Sequence, residues 1–90
     1  MADPDDDRIE WAGPEIYAGP VKRSMTIAGH STSISLEPVF WDALREAAES
    51  EGLPLNALVA RIDAERVAGP FAANLASHIR VWLFERERGR

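Results

Sequence analysis

Apolar and polar positions alternate one for one over residues 31–36. Thr32, Ile34 and Leu36 fall on one side and Ser31, Ser33 and Ser35 on the other. This is a strand with one buried face and one face of hydroxyls alone. Beyond Pro38 the period becomes helical, and Phe40, Leu44, Ala47 and Ala48 make an apolar stripe with Trp41 at its margin. Pro38 suits a first helical turn, where its missing N–H has no intrahelical partner, and Gly52 suits a left-handed terminus. The spacing therefore predicts a helix from Pro38 to about Glu51. Pro54 opens a second, with Leu55, Leu58, Val59 and Ile62 as its stripe, which ends before Gly69 and Pro70. A third is predicted over about 74–88, with Asn74 as N-cap and Leu75, Ile79, Trp82 and Leu83 as its apolar face. Upstream, Met25 and Ile27 alternate with Ser24 and Thr26 until Gly29 breaks the run. That stretch fits a short extra strand or an extended arm.

The predicted elements make a mainly α chain with a strand that has no definite partner. A strand's backbone N–H and C=O groups need a ladder. The same strand from a second copy, antiparallel about a two-fold axis, would supply one. Ile34, Leu36, Phe40, Leu44, Leu55, Leu58, Val59 and Ile62 of both chains would then build one shared dimer core. The expected fold is a homodimer with an intermolecular two-stranded antiparallel ribbon. Each chain adds two helices and a further C-terminal helix, and stability depends on chain concentration.

Charge changes the picture at one end only. Residues 1–20 hold Asp3, Asp5, Asp6, Asp7, Glu10 and Glu15 against Arg8, which accounts for the whole formal charge of −5. The other seventy residues carry nine basic and nine acidic side chains. Residues 1–20 also contain three of the six prolines and lack periodicity, so they read as a flexible acidic arm before a domain at 21–90. Trp11, Ile16 and Tyr17 are the arm's large apolar residues. There is no cysteine, hence no disulfide framework or thiolate metal site. Without a signal-like segment or a membrane-length apolar run, a cytoplasmic chain with no membrane partner is expected.

Site chemistry is sparse. His30 and His78 lack metal-ligand spacing, and Ser35 and Glu37 have no base arranged for nucleophilic catalysis. Trp41 and Trp82 sit at helical spacing among apolar residues and read as packing, not base stacking. The expectation is a non-enzyme with no metal and no cofactor.

A two-stranded ribbon fits the major groove of B-form DNA, and helix N-termini beside it can hold phosphates. The stretch KRSMTIAGHSTSISLEPVFWDALREAAESEGLPLNALV resembles the ribbon-helix-helix family, more narrowly a small bacterial branch of it. The likeness covers about residues 21–83. Its specific parts are the spaced string AGH-T-S-S-LEP-FW-AL and the LNALV that follows the glycine at 52. The resemblance implies double-stranded DNA as partner and a role in transcription regulation. It implies base contacts from Ser31, Ser33 and Ser35, and phosphate contacts from Leu55 and Asn56 behind Pro54. Lys22 and Arg23 would add backbone contacts as an arm, and His30 a donor near the ribbon's end. The chain departs from stronger readers by having serine where Arg, Lys, Gln or Asn can bond one base twice. It also has proline where a hydroxyl often caps the second helix. The alternative is a dimeric protein-interaction module, antitoxin-like or an adaptor, whose third helix or N-terminal arm engages a protein partner. Clustering of Lys22, Arg23, Arg45 and Arg61 beside the serine face favours DNA. Carboxylates such as Glu37 and Glu51 around that face, or the arm over it, favour the alternative.

Overall fold

A computed structural model describes residues 17–69 and 74–89. The acidic arm, with Trp11, therefore lies outside the described residues except for 17–20. Two strands and three helices follow: β1 (Val21–Ile27), β2 (His30–Leu36), α1 (Pro38–Glu51), α2 (Leu55–Ala68) and α3 (Leu75–Glu87). The strands form one two-stranded antiparallel sheet, paired from Val21 opposite Leu36 to Ile27 opposite His30. The hairpin turn is Ala28-Gly29, with φ of 51° and 82°. Two positive φ values in a two-residue loop match the strand twist, as in a type I′ turn.

This corrects the expected ladder. One edge of β2 pairs with β1 of the same chain, so β2 is not a lone strand whose ladder requires a second copy, and Lys22 and Arg23 belong to a strand, not an arm. Ile34 and Leu36 need no second chain for their burial. Both are buried within one chain, Ile34 at 3% exposure and Leu36 at 0%, against Leu44, Leu58, Val59, Ile62, Ile79 and Leu83. Phe40 and Leu55, also expected in the core, are half-buried at its edge. The largest difference is Trp41, placed at the margin by helical spacing but only 1% exposed. The reason is β1, whose Val21 carbonyl accepts from Trp41 Nε1 at 2.9 Å.

Local signals set the helix ends. Pro38 opens α1, and Gly52, at φ 70°, closes it while its N–H reaches the carbonyls of Ala48 and Glu49. Leu53 N–H follows to Ala48 O at 2.9 Å, so the last carbonyls are satisfied before Pro54 starts the next helix. Asn74 Oδ1 accepts from Ser77 N–H at 2.8 Å and caps α3.

Two glutamates tie the helices to α3. Glu37 takes a two-pronged contact from Arg80, at 3.0 Å to Nε and 3.3 Å to Nη2. Glu51 is held between Arg61 and Arg86, each at 3.2 Å. Hydrogen bonds from Arg80, then from its own backbone, hold the Glu37 carboxyl below its ordinary value of 4.5. Glu51 is lowered first by its hydrogen bond and charge from Arg61, then by Arg86. For a lowered acid, the stabilising contribution is complete above 4.5 and is lost as pH falls through the folded value. Denaturant midpoints measured across acid pH should therefore fall below that point, and less steeply in Glu37→Gln.

Ala28 offers the opposite test. A non-glycine residue in the left-handed region costs roughly 1–2 kcal/mol, and asparagine tolerates it better than alanine. Ala28→Asn should raise stability by about 0.5–1 kcal/mol in urea unfolding.

Candidate nucleic-acid interface

Opposed residues in an antiparallel pair share a face, so the register sorts the hairpin's side chains. Inward go Val21, Arg23, Met25 and Ile27 with Leu36, Ile34, Thr32 and His30. Outward go three pairs: Lys22 with Ser35, Ser24 with Ser33, and Thr26 with Ser31. The hydroxyls of Ser24 and Ser33 lie 3.5 Å apart across the strands. The outer face thus has five hydroxyls and one ammonium, all exposed except the half-buried Ser35. Sequence reading found Ser31, Ser33, Ser35 and Lys22 but missed Ser24 and Thr26. The available signal was the alternation in residues 24–27, two residues upstream of the next alternating run.

The N-terminus of α2 sits beside this hairpin. Ala57 and Leu58 donate to Pro54 O, both at 3.1 Å, which leaves the N–H groups of Leu55 and Asn56 as first-turn donors without an intrahelical acceptor. Asn56 Nδ2 donates to Thr26 O at 3.3 Å. That bond ties the helix N-terminus to the turn end of β1, so the free donors lie beside the hydroxyl face.

The cations expected to cluster here divide into two groups. Arg45 is engaged by Asp42 and Arg61 by Glu51. Lys22 faces outward, and Arg23 lies inward with its guanidinium 5.3 Å from the centroid of the Trp41 ring. Neither has a carboxylate partner among the described residues. His30 is exposed at the turn end, in register with Ile27 and not with the outward serines. Of the carboxylates named as unfavourable, Glu37 and Glu51 are both neutralised by arginines. Among the described residues no group of His, Asp or Glu side chains could hold a metal ion, and no helix is long and apolar enough to cross a membrane.

An extended segment with a polar outer face, followed directly by two helices that bury its other face, is what a family model described as "Ribbon-helix-helix domain" matches, over residues 20–86. The chain belongs to the ribbon-helix-helix family. Ribbon-helix-helix proteins typically dimerise and bind DNA, and are generally not enzymes. No curated protein and no solved structure matches this chain. The matched stretch takes in β1 ahead of the ribbon strand and nearly all of α3, which packs on both preceding helices.

Proposed function

We propose that this chain is a DNA-binding transcriptional regulator that acts as a homodimer. The observation that carries the reading is the outer face of the hairpin. It is wholly polar and, apart from Lys22, short-chained, and it is fastened through Asn56 to two free helical N–H donors. Short polar side chains let backbone approach a groove floor closely, and a helix N-terminus is suited to phosphate.

The second chain pairs with the edge of β2 that β1 leaves open. The two central β2 strands then carry Ser31, Ser33 and Ser35 from each chain toward the base edges. Four strands span about 14 Å between outer axes, against a major groove of about 12 Å. The two β1 strands therefore come up at the groove walls, where Lys22 meets phosphate. Leu55 and Asn56 hold phosphates through their N–H groups further along. Arg23, stacked on Trp41, supports the strand from beneath and reaches the backbone only at its edge.

Each serine has a single hydroxyl that cannot grip one base edge at two points, so discrimination per base falls below the roughly 1–3 kcal/mol of a bidentate contact. With few cations at the surface, the affinity should depend weakly on salt. The slope of log K against log salt is about −0.9 per phosphate neutralised. Lys22→Ala should flatten it by about 2 for a dimer. Asn56→Asp should weaken binding across all sequences by placing a carboxylate near phosphate. Sites selected from random duplexes by the purified protein, followed by mobility shifts at two salt concentrations, test the reading. Selection of no duplex at low salt would refute it.

A second reading, a protein-interaction module, is favoured by one observation. Val81 and Phe84 on α3 are 60% and 57% exposed, on the side away from the core residues Ile79 and Leu83. Under that reading the same selection yields no DNA, and Phe84→Ser removes the partner.

A further inference from the structure

Among the described residues, Arg45, Arg61, Arg66, Arg80 and Arg86 each face a carboxylate, whereas Lys22 and Arg23 at the head of β1 do not, and neither does Arg88 at the far end of the chain, which sits over the Phe84 ring. The chain's whole excess of negative charge, six carboxylates against Arg8, lies just upstream in residues 1–16. We propose that this acidic segment docks on the hydroxyl face of its own hairpin, anchored at Lys22, and holds off nucleic acid until phosphate displaces it. The inference rests on the DNA-binding reading and adds its regulation: an arm over the serine face, taken from sequence as a sign of a protein-interaction module, is here a block that phosphate displaces.

Three observations support the docking. The ribbon face is a largely exposed sheet surface among the described residues, rich in hydroxyl donors, which suit carboxylate as they suit phosphate. Its cationic corner is adjacent in sequence to the acidic segment, so the charges are complementary. The length also suffices: the fifteen residues from Asp7 to Lys22 span at most about 50 Å, and the seven-residue strand is about 24 Å long. A tether of that length presents the carboxylates at an effective concentration on the order of millimolar. Contacts of this kind are salt-sensitive, so the block should be strongest at low ionic strength.

The test uses the full chain, whose lack of native cysteine allows one label at Asp5→Cys. A nitroxide there should broaden the amide resonances of Ser24, Ser33 and Ser35 and spare Val81 and Phe84, without any DNA present. Lys22→Gln, an exposed change, should remove that broadening. In parallel, neutralising the segment by D3N, D5N, D6N and D7N should tighten binding to a random duplex about tenfold at low salt, with the gap closing as salt rises. Absence of ribbon broadening, or broadening that survives Lys22→Gln, overturns the docking even if DNA binding persists. Equal DNA affinity of both chains at low salt overturns the regulation. Ribbon broadening with no DNA binding by either chain overturns the DNA-binding reading, and the inhibitory role falls with it.

Discussion

Trp41→Ala is expected to destabilise the chain by about 3–5 kcal/mol, enough to unfold much of it at 37 °C. Trp41 is the largest of the fully buried side chains, and it closes the core between α1 and the start of β1. Its removal leaves a cavity, strands the Val21 carbonyl without its donor and takes away the ring beneath Arg23. These losses fall together at the Val21 end of the hairpin. Trp41→Phe separates them: the ring volume largely remains, and the lost hydrogen bond alone should cost about 1–2 kcal/mol. Urea unfolding followed by far-ultraviolet circular dichroism reads both without interference from the other tryptophans. A midpoint for Trp41→Ala close to that of the native chain would mean that β1 does not lie over Trp41.

Ser33→Glu should lower DNA affinity by about a hundredfold while leaving the unfolding midpoint nearly unchanged. Ser33 is exposed at the centre of the outer face, opposite Ser24, so the fold loses only a hydroxyl pair. In the groove the change is severe. The base edges there are rich in acceptors and the walls are phosphate, and unfavourable charge at an interface costs several kcal/mol. Ser33→Ala is the companion variant: it removes one hydrogen bond, so affinity should change only a few-fold while sequence preference shifts. Fluorescence anisotropy with a selected duplex and a scrambled one measures both. If Ser33→Glu binds like the native chain, the hydroxyl face is not the DNA surface.

The residues tell different stories about what could be read in advance. Pro38, Gly52, Pro54 and Asn74 announce helix ends because they act through their own backbone or the next turn, without help from distant residues. Leu44, Leu58, Val59 and Ile62 follow the same logic through their spacing. The hairpin was harder to see. Ala28 is a poor turn former at positive φ, so the two alternating runs lacked the Asn-Gly or Asp-Gly that normally joins them. Arg23 further disguised β1 by standing at an inward position. It is tolerated there because it stacks on Trp41 at the sheet's edge instead of being buried. With residues 24–27 open between a short strand and an arm, β2 has no definite partner in the sequence and Trp41 falls at the margin of its helix's stripe.

Read by itself, the chain determined its helices, the buried and outward faces of β2, and the acidic excess of residues 1–16, all of which depend on near neighbours or plain composition. Only the tertiary structure decided that β1 is the partner of β2, that Trp41 is core, and that Asn56 binds the hairpin to α2. Those outcomes depend on groups up to thirty residues apart meeting in space, and periodicity carries no information about which surface a strand edge or an indole N–H will find.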